Sequence, residues 1–497
     1  MEQPIKVLFL ASEAEPFIKV GGLGDVAGSL PPALRSLTTL HKTTGGRVTG
    51  KKLLVDIRLV IPFHDGILRT AYNIEPVALI DIPRQQGSIS AEISQANLDG
   101  LPVYLVYGPP FQGGVPVYTG NNQIDGAKYT FFSLVALQIP RIIGWQPDII
   151  HANDWHTAPA IYSLYLDPSK YLAGFKPKTI ITIHNLPYLG HDAGEALADY
   201  GLPPALNSSL PWWAQNLPLP LGLLAADQIV AVSPNYAKEI ITPEFGSGLD
   251  DFLRSRQSSI SGILNGIDQQ LWNPSTDQFL TKNFNIDQLS NRQQNKNHLQ
   301  CELNLSSSND IPLLAVVSRL DPQKGIDLLS EATRGLASQP WQLIILGTGT
   351  RSLEENIRQL VSEFPDRIRF VNRYDLSLSH RIYGGADCLL IPSRYEPCGL
   401  TQMIAMRYGC VPVGRSTGGL KDTIRDHPSD THSTGFLFDE ATPQALAQAI
   451  YRALRVYEDQ LKWRKIQSNG MSQDFSWSKS AHAYYSLYRR LLTINPT

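Results

Sequence analysis

The stretch Ser393-Arg394-Tyr395-Glu396-Pro397-Cys398-Gly399-Leu400 lies between a short apolar run at residues 388–391 and a predicted helix at residues 400–406. Short apolar runs that alternate with helical segments are typical of parallel strands covered by helices on both faces. Glu396 thus lies just past a predicted strand, and the helix start beyond it offers backbone N–H groups to a phosphate or to sugar hydroxyls. Alternatively, Glu396 only caps that helix.

A second informative stretch, Lys19-Val20-Gly21-Gly22-Leu23-Gly24-Asp25, lies between the first predicted strand and a helix predicted at residues 25–37. Glycines let backbone N–H groups approach a diphosphate, and the positive end of the following helix favours that charge. The stretch matches neither the dinucleotide fingerprint nor the phosphate-loop pattern, so a simple tight turn stays an alternative. Together the two stretches suit a site assembled from two halves, one for a phosphorylated donor and one for its acceptor.

Apolar runs fall into two sets along the chain. The first set is 6–11, 57–61, 103–106, 149–150, 179–183 and 229–232, and the second is 313–317, 342–346, 368–371, 388–391 and 411–413. Each set alternates with helical segments, which predicts a parallel sheet in each half. Because 497 residues exceed what one hydrophobic core usually supports, we predict two α/β domains that divide near Gly262.

Composition excludes several classes of partner. A net charge of −2 with 42% hydrophobic residues provides no basic field for nucleic acid. The four cysteines lack paired metal spacing, which favours a reduced intracellular setting. No charged leader followed by a long apolar stretch is present, so we predict a cytoplasmic protein without a membrane partner.

The loop after the first strand of the second half carries two positive charges, Arg319 and Lys324. Both can point into the crevice at the carboxyl edge of a sheet, where doubly wound folds bind ligands. There they would stabilise a departing diphosphate without a metal. The alternative is a surface salt-bridge pair. The chain has no Asp-x-Asp triplet, and we predict no metal and no cofactor.

Two histidine-containing stretches also lie at predicted strand ends. His184 follows the run at 179–183, where catalytic groups of parallel sheets tend to lie, although such a histidine is more often a packing residue. In the stretch His151-Ala152-Asn153-Asp154-Trp155-His156 the histidines are not spaced as a helical metal-binding pair. We therefore predict packing and site-lining roles for that stretch.

Taken together, these motifs resemble the bacterial glycogen and plant starch synthase family, and the resemblance covers nearly the whole chain. The matching segments are 19–25, 151–156, 182–185, 232–234, 265–268, 318–325, 380–387, 392–402 and 417–420. The Lys19-Val20-Gly21-Gly22 version resembles the starch synthase III and IV branch. The resemblance implies the GT-B architecture, in which two Rossmann-like doubly wound domains face each other across a deep cleft. It places one domain at 1–262, joined by a C-terminal helix at 478–497, and the other at 263–477.

By the same resemblance, the protein would transfer glucose from ADP-glucose to the non-reducing end of an α-1,4-glucan, such as glycogen or a maltooligosaccharide, with retention. The implied catalytic residues are Glu396 beside the sugar, His184 in contact with the transferred glucose, and Arg319 and Lys324 on the phosphates. The implied donor-binding residues are Lys19, Gly21, Gly22, Asp25, Asn265, Tyr374, Cys398, Gly399 and Leu400.

Three segments depart from the family or interrupt the pattern. The basic, Gly-rich segment 38–52 is predicted to be a surface loop. Pro220 stands where the family usually has a lysine, and segment 191–216 carries an unusual Trp212-Trp213 pair that either stacks on sugar rings or anchors its loop by burial.

Two other functions stay open on sequence alone. One is a related retaining glucosyltransferase with a small acceptor. The other is a catalytically weak glucan-binding or initiation protein that keeps the fold.

Overall fold

The computed structural model of the protein describes residues 3–42, 48–171, 176–427 and 431–493. The chain divides into two compact units, Met1–Gly266 with Trp477–Thr497 (unit 1) and Ile267–Ser476 (unit 2). The family resemblance implies domains at 1–262 with 478–497 and at 263–477. These domain bounds stay a prediction.

Strands and helices alternate along most of the described chain. The strands are β1 Ile5–Leu10, β2 Thr38–Lys42, β3 Val48–Leu53, β4 Val55–Pro62, β5 Glu75–Ile82, β6 Ile89–Leu98, β7 Leu101–Tyr107, β8 Ile149–Asn153, β9 Lys178–Ile183, β10 Gln228–Ala231, β11 Ile260–Gly262, β12 Leu313–Val317, β13 Gln342–Leu346, β14 Ile368–Val371, β15 Cys388–Ile391, β16 Val411–Arg415 and β17 Phe436–Phe438. The α-helices are α1 Gly22–Ser36, α2 Asn122–Ala136, α3 Ile139–Ile142, α4 Asp154–Leu166, α5 Gly194–Asp199, α6 Pro218–Ala225, α7 Pro234–Glu239, α8 Asp250–Ser255, α9 Arg292–Glu302, α10 Asp327–Gly335, α11 Arg351–Glu363, α12 Leu376–Gly385, α13 Thr401–Arg407, α14 Gly418–Thr423, α15 Pro443–Tyr457, α16 Gln460–Met471 and α17 Trp477–Thr493.

Unit 1 contains a nine-stranded sheet in the order β11-β10-β9-β8-β1-β4-β7-β6-β5. Neighbouring strands are parallel except around β6, which pairs antiparallel with β5 and with β7. The turn from β6 to β7 is Asp99-Gly100, and both residues have positive φ angles of 50° and 87°. Such an Asp-Gly pair produces a tight two-residue hairpin turn. This local chemistry explains why one strand reverses in an otherwise parallel sheet.

Unit 2 contains a six-stranded sheet in the order β14-β13-β12-β15-β16-β17, and every neighbouring pair is parallel. Its central strands are buried on both faces, as their continuous apolar sequence predicts. In this sheet β12 and β15 are neighbours, so the loops that follow them lie side by side at the carboxyl edge.

The C-terminal helix α17 packs into unit 1. Trp477, Ala481, Tyr484 and Tyr488 are buried in the same hydrophobic cluster as β1, β4 and α1. The amphipathic spacing of the helix accounts for this burial. The predicted return of the C-terminal helix to the first unit is confirmed.

The prediction of a surface loop at 38–52 is wrong for the part that the structure describes. β2 and β3 form an antiparallel pair in which Thr38 lies opposite Leu53. The strands were missed because the segment is polar, basic and Gly-rich rather than apolar, and they form a separate two-stranded sheet. Residues 43–47 lie outside the described part.

No helix within the described ranges is both long enough and apolar enough to span a membrane.

Candidate active site

In unit 1, three neighbouring strands end at one edge of the sheet. β9, β8 and β1 are adjacent and parallel, so the loops after them meet at their carboxyl ends. The segments after these strands carry Glu13 and Lys19 after β1, Asp154 at the start of α4 after β8, and His184 after β9. This edge therefore groups most of the unit 1 residues that the sequence singled out.

Glu13 organises the glycine loop, and the sequence analysis missed it. Its buried carboxylate accepts hydrogen bonds from the backbone N–H groups of Val20 and, at 3.0 Å, Gly21. The Tyr118 hydroxyl donates to it at 3.0 Å. Burial raises the pKa of Glu13, and the hydrogen bonds from Val20, Gly21 and Tyr118 oppose that rise. Glu13 thus fixes the loop while its own charge depends on these donors.

Lys19 is held beside the start of α1. Its Nζ lies 2.5 Å from Asp25 Oδ1 and 3.1 Å from Glu15 Oε2. Burial alone would lower the pKa of Lys19, but the two carboxylates outweigh burial and raise it. The N-cap residue Gly21 makes no side-chain capping bond. The Val20 and Gly21 N–H groups just before α1 are bound by Glu13, and the Gly24 N–H donates to Gly21 O at 3.2 Å.

His184 is held as a neutral imidazole. Asn153 Nδ2 donates to Leu10 O at 2.9 Å, which turns Asn153 Oδ1 toward His184 Nε2 at 2.9 Å. The Nε2 atom therefore carries the proton and Nδ1 is left as an acceptor. Burial lowers the pKa of His184 to about 3.

Asp154 positions the backbone of the same histidine. Its Oδ1 accepts the His184 N–H at 2.7 Å. Burial raises the pKa of Asp154 to about 7, against the hydrogen bonds from the N–H groups of His184 and Asn185. Its φ of 55° places it in the left-handed region, a strained conformation that tends to occur at functional sites.

The other histidines of the 151–156 stretch pack as the sequence predicts. His151 is fully buried between Tyr488 Oη at 2.8 Å and Thr182 Oγ1 at 2.7 Å. His156 stacks beside Trp155 with ring centroids 4.2 Å apart. The contacts of His151 join β8 to α17 and to β9, whereas the contact between His156 and Trp155 lies within α4.

In unit 2, Glu396 and Lys324 form an ion pair at the carboxyl edge of the sheet. Lys324 Nζ lies 2.7 Å from Glu396 Oε2 and 3.0 Å from Oε1, and Ser393 Oγ donates to Oε2 at 2.8 Å. Glu396 makes no capping bond to α13, whose N-cap residue is Leu400. The helix-capping alternative for Glu396 is therefore excluded.

Close backbone contact explains how the two loops of this pair meet. Gly325 has a φ of 63°, and a Cβ there would overlap the carbonyl oxygen of Pro392. Asp321 caps the short turn by accepting the Lys324 N–H at 3.2 Å. Only glycine at position 325 allows the loop after β12 to lie against the end of β15.

Arg319 stays apart from that pair. Its side chain is 67% exposed, and its Nη2 lies 3.1 Å from Asp321 Oδ2. Arg319 therefore forms a surface salt bridge, which the sequence analysis gave as an alternative to phosphate binding. An exposed guanidinium beside one carboxylate is still accessible to an incoming phosphate.

The loop that contains Cys398 and Gly399 is packed tightly against the start of α14. A Cβ at Gly418 would overlap the carbonyl oxygen of Glu396, and one at Gly419 would overlap that of Cys398. The Gly419 N–H donates to Glu396 O at 3.0 Å. The loop position therefore depends on two glycines that the predicted site did not include.

Two predicted donor residues, Tyr374 and Asn265, have contrasting surroundings. Tyr374 lies between β14 and α12 and is 82% exposed. Asn265 lies at the end of unit 1, and its buried Oδ1 has no hydrogen-bond partner among the described residues. Within unit 2, no described hydrogen bond or ion pair joins Tyr374 to Lys324 or Glu396.

Metal-binding side chains are not grouped in the described residues. No cluster of three His, Cys, Asp or Glu residues there could hold an ion. Independence from metal stays a prediction about the reaction.

Known proteins match nearly the full length of the chain. A family model described as the starch synthase catalytic domain matches residues 6–42 and 49–255, and the glycosyl transferases group 1 model matches residues 304–469. The glycogen synthase of Geotalea daltonii is 39% identical and covers 98% of this chain and 99% of its own. The glycogen synthase of Aromatoleum aromaticum is 40% identical, with 97% and 96% coverage. The chain belongs to the glycogen and starch synthase family.

Solved structures agree with this family. The catalytic domain of starch synthase IV from Arabidopsis thaliana, bound to ADP and acarbose, is 32% identical, has a TM-score of 0.85 and covers 99% of this chain and 100% of its own. A sucrose-phosphate synthase from Thermosynechococcus elongatus, 19% identical with a TM-score of 0.60 over 98% of this chain and 99% of its own, shares the fold. The predicted family and the predicted GT-B fold class are confirmed. The protein is a glycosyltransferase.

Proposed function

We propose that the protein is a cytoplasmic glycogen or starch synthase that uses ADP-glucose. It transfers glucose to the non-reducing end of an α-1,4-glucan with retention at the anomeric carbon and releases ADP. Support comes from the glycogen synthases that match the full chain. The related starch synthase IV was solved with ADP and acarbose, which favours an adenine nucleotide and a glucan-like acceptor.

The observation that carries this proposal is the Lys324–Glu396 pair. A synthase of this kind needs fixed positive charge where the diphosphate departs and a carboxylate beside the sugar that becomes positively charged. Lys324 provides the positive charge and Glu396 provides the carboxylate, and Lys324 Nζ lies 2.7 Å from Glu396 Oε2. Ser393 holds the Glu396 carboxylate by a hydrogen bond. Gly418, which lacks a Cβ, allows the backbone at Glu396 to pack closely against it.

We assign the phosphates to Arg319 and Lys324, which act as the counter-charge to the leaving ADP. Cys398, Gly399 and Leu400 hold the glucose or phosphate by backbone contacts, and Tyr374 stacks near the adenine. Lys19, Gly21, Gly22, Asp25 and Asn265 contribute further to donor binding.

The proposed chemistry is a front-face displacement. The bond from glucose C1 to the diphosphate oxygen breaks, and the acceptor hydroxyl oxygen bonds to C1 from the same face. The departing phosphate oxygen accepts the proton of that hydroxyl, so the step needs no enzyme nucleophile. Neutral His184 accepts a hydrogen bond from the glucose through Nδ1, which avoids adding positive charge next to the oxocarbenium-like centre.

Nucleotide release tests the proposal. Purified protein is given ADP-glucose or UDP-glucose, each with and without glycogen, in buffer that contains a chelator. We expect ADP release that depends on glycogen, little UDP release and no loss with chelator. The variant Glu396→Ala controls for contaminating hydrolases. Release from neither donor, or release that ignores glycogen, contradicts the proposal.

A further inference from the structure

The two adjacent tryptophans of segment 191–216 have opposite surroundings. Trp213 lies over Gly248, where a Cβ would be 3.0 Å from the ring. Trp212 is 85% exposed, the highest exposed fraction among the large apolar side chains that the structure describes. From sequence alone, either tryptophan could stack on sugar rings or anchor its loop by burial. The structure assigns anchoring to Trp213 alone and leaves Trp212 on the surface.

The loop that presents Trp212 is held in place at its base. Ala205 N donates to Gln215 O at 2.8 Å, and Gln215 Nε2 donates to Leu210 O at 3.3 Å. Ala214, next to the tryptophans in the same 3-10 turn, is fully buried. Because the loop is fixed before any ligand arrives, little conformational entropy would be lost on binding to the indole.

The chemistry of the loop suits a neutral, hydroxyl-rich ligand. Residues 201–218 contain no Asp, Glu, Lys, Arg or His. The same residues carry amides and hydroxyls instead, on Asn207, Ser208, Ser209, Gln215 and Asn216. A glucose ring has an apolar face that stacks on an indole and a rim of hydroxyls that hydrogen-bond to amides. A protein partner would favour a larger continuous apolar patch.

We propose that Trp212 is a secondary binding platform for α-glucan chains, separate from the reacting chain end. The inference rests on the proposed function, because that function makes a glucan polymer the substrate. Binding a second stretch of the same polymer raises the effective concentration of chain ends. A short oligosaccharide gains nothing, because it cannot reach both places at once.

Two measurements on the full chain test the platform. The first is migration in native gels with and without glycogen, which needs no turnover. The second is the KM for glycogen and for maltotriose. We expect Trp212→Ala to lose retardation by glycogen and to raise the glycogen KM about tenfold, the size expected from losing one aromatic anchor. Its kcat, its KM for ADP-glucose and its KM for maltotriose should not change.

Variants with related side chains provide the controls. Trp212→Phe keeps an aromatic face and should retain most of the glycogen affinity. Tyr165→Ala removes another exposed aromatic residue of unit 1 and should behave as wild type.

Three results would overturn the platform. They are wild-type retardation of Trp212→Ala by glycogen, an equal loss of maltotriose transfer, or a change of oligomeric state in Trp212→Ala with glycogen retardation intact. If wild type transfers no glucose at all, the proposed function fails, while the gel comparison still decides whether Trp212 binds glucan.

Discussion

Lys324 Nζ lies 2.7 Å from Glu396 Oε2 although the two residues are 72 positions apart. The pair exists because β12 and β15 are neighbours in the unit 2 sheet, so the loops after them meet at its carboxyl edge. Each residue is the other's main electrostatic partner in the described structure. The proposed reaction uses both charges.

Loss of either residue of this pair should abolish most of the transfer without unfolding the protein. We expect Glu396→Ala and Lys324→Ala to lower kcat at least about 100-fold, because each removes charge placed where the transition state develops it. Arg334→Ala removes an exposed ion pair with Glu363 in the same unit and serves as the matched control. Steady-state kinetics and thermal melting measure both effects. Wild-type kcat in folded Glu396→Ala and Lys324→Ala would refute the assignment.

Gly419 should tolerate no side chain. Gly419→Ala would force the new methyl group into the carbonyl oxygen of Cys398 and move the loop that holds Glu396. We expect at least about a tenfold loss in kcat/KM, since small displacements of positioned groups are costly. Gly335→Ala, at the end of α10, meets nothing within 4 Å and should be active. Equal activity of the two variants would show that the loop adapts freely.

Glu13 should act through the glycine loop. Glu13→Gln keeps one carbonyl acceptor but cannot satisfy the Tyr118 hydroxyl and the N–H groups of Val20 and Gly21 together. We expect the KM for ADP-glucose to rise about tenfold, which corresponds to one lost hydrogen bond to a charged group. Glu92→Gln, which removes the charge that pairs with Arg69 and accepts from the Ser94 hydroxyl, is the control. An unchanged KM in Glu13→Gln would mean that the loop does not depend on Glu13.

Buried His151 should make the protein less stable in acid. Burial lowers its pKa to about 3, whereas an unfolded histidine has a pKa of about 6.5. Below pH 6.5 the unfolded chain therefore binds a proton that the folded chain does not. The stabilisation is complete above pH 6.5 and is lost as the pH falls toward 3.

Urea unfolding at pH 7 and pH 5 measures this effect. Between these values wild type should lose about 2 kcal/mol more of its free energy of unfolding than His151→Gln loses. His64 and His156, which burial also keeps neutral, are present in both proteins and cancel in the comparison. Identical pH dependence in the two proteins would argue against a neutral, buried His151.

The sequence predicts those parts of the fold that depend on local pattern. Continuous apolar runs identified β1, β9, β12 and β13 because strands buried on both faces carry no polar alternation. β5 and β6 were missed because polar residues alternate along them, as they do on a sheet face that meets solvent. The β2–β3 pair was missed because its segment is polar, basic and Gly-rich.

The site was predictable in its motifs but not in its supporting contacts. Lys19, His184, Lys324 and Glu396 stand in recognisable motifs. Tyr118 donates a hydrogen bond to Glu13 although the two residues are 105 positions apart in the sequence. Local residue spacing does not indicate that the fold brings them together. Such contacts depend on strand order, which periodicity alone does not determine.

The central claim is glucosyl transfer from ADP-glucose to the non-reducing end of an α-1,4-glucan. The most direct measurement supplies ADP-[14C]glucose with glycogen and treats the labelled polymer with β-amylase, which releases maltose from non-reducing α-1,4-linked ends. We predict label in the polymer only when active protein is present, and release of that label as maltose. Label found as free glucose, or in polymer that resists β-amylase, would contradict the claim.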